Sequence, residues 1–134
     1  MHHNQPEEFL AIDVGSARVG IARGSSAARI AQPLKTVEAK EAIDELRKLL
    51  ADNKVAAIVA GLPRSLEGNE TEQTRYVRDW VKSAKDQIKL PFYWQDEALT
   101  TKLTEDQGQP SDATAAAMIL QDFLDSAEDD RVVA

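Results

Sequence analysis

The sequence of 134 residues contains no cysteine, and its only histidines, His2 and His3, stand at the amino end. The lack of cysteine excludes a disulfide framework, a thiolate zinc site and a cysteine nucleophile, and it fits a cytoplasmic protein. Both histidines lie in a terminus that is expected to fray, so neither a Ser-His-Asp triad nor a histidine general base is expected. Any chemistry that this chain performs must therefore rest on carboxylates.

Long apolar runs are absent as well. No stretch approaches the roughly 20 apolar residues of a membrane-spanning helix, and the polar start of the chain does not resemble a signal peptide. The content of 43% hydrophobic and 29% charged residues is typical of a soluble globular protein. We expect one domain over residues 1–134 with flexible ends at 1–7 and 126–134, and no membrane partner.

The net charge of −7 argues against broad, nonspecific affinity for nucleic acid. The charge is unevenly distributed, because no acidic residue lies between Val14 and Val37. That segment holds four cations: Arg18, Arg23, Arg29 and Lys35. Acidic residues accumulate near the carboxyl end instead, as is typical of a solvated tail. A local basic surface therefore remains compatible with the acidic total.

The pattern of apolar runs and turn residues predicts an α/β fold. The predicted elements, in chain order, are strands at 8–14, 18–24 and 29–37, a helix around 39–50, a strand at 55–60, a helix after 69, a strand at 91–95 and a helix from 110. The three consecutive strands with short turns indicate an antiparallel meander, and the two strand–helix–strand crossovers indicate parallel pairing. We expect a mixed five-stranded sheet with helices on both faces, and Asn69 as the amino-terminal cap of the second helix.

Three carboxylates stand where predicted elements end or begin. Asp13 closes the first strand before Gly15, Glu97 follows the last strand directly after Asp96, and Asp112 opens the last helix. Oxygen ligands suit Mg²⁺, and carboxylates that converge at one sheet edge can hold ions that activate water for phosphodiester hydrolysis. Each acid also has a simpler interpretation: Asp112 would complement a helix dipole, Asp13 would accept hydrogen bonds from its own turn, and Glu97 would be an ordinary acidic loop residue.

Four sequence blocks, in matching order and spacing, resemble the YqgF/RuvX family of ribonuclease H-like proteins. They are AIDVGSARVGIA at 11–22, VAGLPRSLEG at 59–68, WQDEALTT at 94–101 and DATAAAMIL at 112–120. The resemblance implies a ribonuclease H-like fold and a metal-dependent nuclease. The first function that it implies is processing of the 5′ end of pre-16S rRNA during ribosome biogenesis. It also implies Asp13, Glu97 and Asp112 as catalytic residues and as ligands of Mg²⁺ or Mn²⁺. These are the acids that the element ends indicate.

Two departures from the family pattern bear on activity more than on fold. Ala98 stands where the family has arginine, and the connection over 102–111 is short. Both reduce the positive charge expected near the site. Two alternatives therefore stay open: a Holliday-junction resolvase-like DNA endonuclease, and a noncatalytic module that binds RNA or a ribosome-associated protein. An actin-like ATPase, which shares the core, would need two such domains.

Basic residues at helical spacing offer a place for a phosphate backbone. Arg75, Arg78, Lys82 and Lys85 fall on one face of the predicted second helix, which is either a solvated face or a phosphate-tracking stripe. The candidate nucleic-acid contacts are Arg18, Arg64, Arg75, Arg78 and Lys82. The expected partner is nucleic acid, pre-rRNA first and branched DNA second, bound by a monomer or weak homodimer.

Overall fold

The computed structural model describes residues 6–98 and 112–134. Its elements are β1 (Glu8–Val14), β2 (Arg18–Ser25), β3 (Ala31–Glu38), a 3-10 helix (Ala39–Glu41), α1 (Ala42–Asp52), β4 (Ala57–Arg64), α2 (Glu72–Gln87), β5 (Phe92–Ala98), α3 (Asp112–Asp125), a 3-10 helix (Glu128–Asp130) and β6 (Val132–Val133). The predicted start of the last helix at 110 and the short 102–111 connection lie outside the described residues.

The described strands form one sheet in the order β3-β2-β1-β4-β5-β6. β1, β2 and β3 are antiparallel neighbours, whereas β4 runs parallel to both β1 and β5. The predicted mixed sheet with an antiparallel meander is confirmed, but it has six strands where five were expected. The addition is β6, whose two valines pair with Tyr93 and Trp94 along the outer edge of β5.

The segment that forms β6 was expected to be a flexible end. Its valines favour extended backbone, and β5 would otherwise present an unpaired edge. Two further contacts hold the end of the chain: the N–H of Ala134 donates to the carbonyl of Phe92 at 2.8 Å, and Lys85 Nζ donates to the carbonyl of Ala134 at 2.6 Å. The acidic residues before β6 therefore do not leave this segment unstructured, because pairing with β5 supplies backbone hydrogen bonds that a solvated tail lacks.

The sheet separates two apolar cores, because successive strand residues point to opposite faces. On one face α1 and α2 cover a core that includes Leu10, Ile12, Leu46, Ile58, Val77, Val81 and Phe92. On the other face Leu120 and Phe123 of α3 pack against a core that includes Phe9, Ala11 and Val59. The rings of Phe9 and Phe123 meet edge to face at 5.3 Å, an arrangement that adds about 1 kcal/mol beyond burial. Helices on both faces are confirmed. Among the described residues, no helix has the length and apolar character needed to cross a bilayer.

The second helix begins at a different cap from the one predicted. Thr71, and not Asn69, is the capping residue: its side chain accepts from the N–H of Thr74 at 3.3 Å, and Thr74 Oγ1 accepts from the N–H of Thr71 at 2.9 Å. Thr74 is buried and also donates to the carbonyl of Pro63. Asn69 instead closes the preceding loop, where its N–H donates to Ser65 Oγ at 3.0 Å. The cap therefore fastens α2 to the carboxyl end of β4.

Candidate active site

Asp13 lies at the carboxyl end of β1, on the face of the sheet that α3 covers. It alternates with the buried Phe9 and Ala11, so its side chain follows theirs toward α3. The turn after it is tight, since the N–H of Gly15 donates to the carbonyl of Arg18 at 2.9 Å. Burial, and then the negative charge of Asp112, raise the pKa of Asp13 to about 6. Asp13 is therefore a partly desolvated carboxyl group beside a second acid.

Asp112 begins α3 and lies against β2. A Cβ added to Gly20 would lie less than 3.0 Å from the backbone carbonyl of Asp112, so the start of the helix occupies space that a side chain at position 20 would fill. Arg18 Nε donates to Asp112 Oδ2 at 2.9 Å, and the arginine remains about two-thirds exposed. Asp112 thus lies beside the end of β1 and β2, close enough for its charge to act on Asp13.

Glu97 stands near the end of β5 and pairs in register with Pro63 of β4. Burial raises the pKa of Glu97 to about 8, and a hydrogen bond with the side chain of Asp122 and the charges of Asp122 and Asp13 act in the same direction. Glu97 therefore holds a proton at neutral pH and shares it with an acid of α3. Its direct partner is Asp122, and Asp13 acts on it only through its charge.

The structure brings together two of the three predicted acids, Asp13 and Asp112, and places Glu97 nearby but bound to Asp122. Over residues 6–98 and 112–134, no three His, Cys, Asp or Glu side chains form a ready cluster for a metal ion. Asp122 was not among the residues predicted for the site. No local pattern marks it, because only the packing of α3 across the sheet carries it to β5.

Two of the predicted phosphate contacts are occupied by acids. Arg78 binds Glu70 through two hydrogen bonds, at 2.6 Å from Nη2 and 3.2 Å from Nε, and its guanidinium lies 5.5 Å from the centre of the Trp94 ring. Arg64 Nε lies 3.2 Å from Asp96 Oδ1, and Arg64 Nη1 lies 3.8 Å from Glu70. The hydrogen bond from Arg78 holds the pKa of Glu70 below its usual value. A phosphate would have to compete with both carboxylates.

The other candidate cations differ in their surroundings. Arg75 and Lys82 are exposed on α2, and neither forms an ion pair with any residue that the structure describes. Arg18 is paired with Asp112. The exposed face of α2 therefore offers two unpaired cations to a polyanion.

Comparison with known proteins places this arrangement in a family. The RuvX family, described as "Holliday junction resolvase", matches residues 7–126. A Rickettsia felis protein named "Putative pre-16S rRNA nuclease" is 38% identical over 132 residues, covering 88% of this chain and 86% of that protein. Its namesake in Rickettsia typhi is 35% identical over 134 residues, covering 90% and 86%.

Solved structures point to the same architecture. RuvC of T. thermophilus, in a complex with a Holliday junction substrate, superimposes with a TM-score of 0.59 at 13% identity, and the match covers 96% of this chain and 99% of RuvC. At that identity the likeness concerns the fold alone. The ribonuclease H-like fold expected from the sequence is confirmed.

Proposed function

Because the chain belongs to the RuvX family, we propose that it is a metal-dependent nuclease that hydrolyses phosphodiester bonds at the 5′ end of pre-16S rRNA. The observation that carries the proposal is the pair formed by Asp13 and Asp112. The two acids come from separate elements near the carboxyl end of β1, where burial and the charge of Asp112 raise the pKa of Asp13 to about 6. The names of the relatives from Rickettsia support an rRNA substrate.

The residues present suit a hard divalent cation. Their donors are carboxylate oxygens, which Mg²⁺ and Mn²⁺ prefer, and the two acids are held close enough for the charge of Asp112 to raise the pKa of Asp13. A cation between them would remove that repulsion. Asp13 and Asp112 would hold the ion, and Glu97 would join them after it releases Asp122. When bound, the metal would activate water for attack on the phosphate and stabilise the leaving oxygen.

Binding of the nucleic acid would depend on the cations. Arg75 and Lys82 on the exposed face of α2 would bind the phosphate backbone without reading its sequence. Arg78 would contribute only after Glu70 releases it, and Arg64 only after both Asp96 and Glu70 release it. With two unpaired cations on this face of α2 and a net charge of −7, affinity for RNA should be modest and should fall steeply with salt.

A second candidate function is cleavage of branched DNA, which the description of the matching family favours. The two functions share the acids and the metal and differ only in the nucleic acid that is presented to them. The geometry of Asp13 and Asp112 is compatible with either substrate, so an assay must compare both.

The test uses the purified protein with Mg²⁺ or Mn²⁺, labelled pre-16S rRNA 5′ ends, and four-way DNA junctions. We expect cleavage of the RNA that EDTA abolishes, and none by the Asp13→Asn variant. Cleavage of junctions alone would assign the protein as a resolvase. Cleavage of neither substrate, together with stable binding to ribosomal particles, would identify a noncatalytic module of the same fold.

A further inference from the structure

Three residues lie side by side on neighbouring strands of the meander. Gly20 of β2 pairs with Asp13 of β1 on one side and with Thr36 of β3 on the other. Residues directly opposite each other in antiparallel strands project from the same face, which here is the face that α3 covers. Because the middle position has no side chain, the first residues of α3 lie in the gap between Asp13 and Thr36.

Thr36 binds the start of that helix. Its Oγ1 accepts a hydrogen bond from the backbone N–H of Ala113 at 3.1 Å. The first four N–H groups of a helix have no partner within the helix, so the hydroxyl satisfies one of them from a strand 77 residues earlier in the chain. The first turn of α3 is thus bonded to the sheet on the side away from Asp13.

The carboxylate of Asp112 is held from a third direction. Arg18 stands on β2 two residues before Gly20, and its Nε donates to Asp112 Oδ2 at 2.9 Å. The backbone at the start of α3 and the Asp112 side chain are therefore fixed separately, one by Thr36 and Gly20 and the other by Arg18. None of these three residues has a role in the chemistry proposed above.

We propose that Thr36 is a positioning residue of the active site: its hydroxyl, together with the bare backbone at Gly20, sets the start of α3 so that the Asp112 carboxylate faces that of Asp13. The inference rests on the proposed function only through the roles assigned to these two acids. A hydroxyl that merely stabilised α3 would affect unfolding and leave the paired acids unchanged. The two cases can be separated experimentally.

The test compares Thr36→Val, which removes the acceptor and nearly keeps the shape, with Thr36→Ser, which retains the hydroxyl. Thr71→Val is the matched control, because it removes the cap of α2 on the opposite face of the sheet. Each protein is assayed for kcat and KM on pre-16S RNA, for Mn²⁺ affinity by calorimetry, and for thermal stability. Thr36 is exposed, so its variants should fold; Thr36→Ala is the second variant if Thr36→Val does not.

We expect Thr36→Val to lower kcat on the order of 10- to 100-fold while KM changes less than about twofold, since misplacing a reactive group by about 1 Å can cost that much. Its affinity for Mn²⁺ should fall by a factor of about 3 to 10, because second-sphere contacts tune metal sites. Thr36→Ser should regain most of both properties. Thr71→Val should lose thermal stability and keep kcat and Mn²⁺ affinity.

Equal kcat and Mn²⁺ affinity in Thr36→Val and Thr71→Val would overturn the positioning role and leave the proposed function intact. If the parent protein cleaves neither RNA nor junctions, the nuclease proposal fails, and the Mn²⁺ titrations still decide the positioning role. A parent protein that neither cleaves nor binds Mn²⁺ would overturn both.

Discussion

Replacing Asp13 by Asn should stabilise the protein while it abolishes cleavage. Burial and the nearby charge of Asp112 raise the pKa of Asp13 from an ordinary value of 3.8 to about 6. Each pH unit of difference between the folded and unfolded pKa corresponds to about 1.36 kcal/mol, so ionised Asp13 destabilises the fold by about 3 kcal/mol at pH 7 to 8. An asparagine has nearly the same shape and carries no charge, so it removes most of that cost.

The direction of the pH dependence follows from the raised pKa. Below about pH 3.8 the Asp13 carboxyl is protonated in both states and costs nothing. As the pH rises from about 3.8 to about 6, the unfolded chain loses this proton while the folded protein still holds it, so the parent loses stability. The stability advantage of Asp13→Asn should therefore be small at pH 4, grow between pH 4 and 6, and level off above pH 7.

Urea denaturation at a series of pH values, with and without Mg²⁺, measures this advantage directly. Asp79→Asn is the matched control, because Asp79 is an exposed acid on α2. Added Mg²⁺ should stabilise the parent and the control and leave Asp13→Asn unchanged. An Asp13→Asn variant that is less stable than the parent at pH 7, or whose advantage does not depend on pH, would refute the reasoning.

Three further outcomes are expected. Burial raises the pKa of Glu97 to about 8, so Mn²⁺ binding at pH 7 should release about one proton. Calorimetry in buffers of different ionisation enthalpy measures this proton release, which should be absent in Glu97→Gln. Gly20→Ala should lower both thermal stability and kcat, because the added Cβ would meet the fixed backbone at the start of α3. In Gly61→Ala the added Cβ would meet the movable side-chain tip of Ile119, so only stability should fall. Equal losses of kcat in the two variants would contradict this. Glu70→Gln frees Arg78 and leaves Arg64 with Asp96 alone, so it should strengthen RNA binding at low salt in an anisotropy titration. Weaker binding would count against the role of Arg78 as a phosphate contact.

Strand β1 could be predicted to the residue, and β4 could not. The apolar run of β1 ends in Asp13 and a glycine turn, so local signals coincide with the limits Glu8–Val14. For β4 the apolar run predicted 55–60, whereas the strand spans Ala57–Arg64. Its last residues are extended because they pair with β5 through the register of Pro63 with Glu97 and Arg64 with Ala98. Pairing between distant segments leaves no trace in local hydropathy.

In the candidate site, likewise, some contacts could be predicted from the sequence and others could not. The approach of Asp13 to Asp112 was expected, because a strand end and a helix start were predicted to converge at one edge of the sheet. The bond between Glu97 and Asp122 was not, since it depends on how α3 crosses the sheet. Arg18 lies in a segment free of acids, which favoured a phosphate contact, yet its partner is Asp112, 94 residues away.

The charges at the candidate site determine whether the metal ion or the RNA phosphate would bind first. Asp13, Asp112 and Glu97 lie on one face of the sheet, and the raised pKa values of Asp13 and Glu97 show that this face disfavours further negative charge. Arg18 at the site is already paired with Asp112, and Arg64 and Arg78 on the other face are paired with carboxylates as well. An RNA phosphate entering the metal-free site would meet repulsion that these ion pairs do not offset. Under the proposed function, the cation must therefore bind before the phosphate, and the same electrostatics that raises the pKa of Asp13 makes the metal part of the substrate-binding surface.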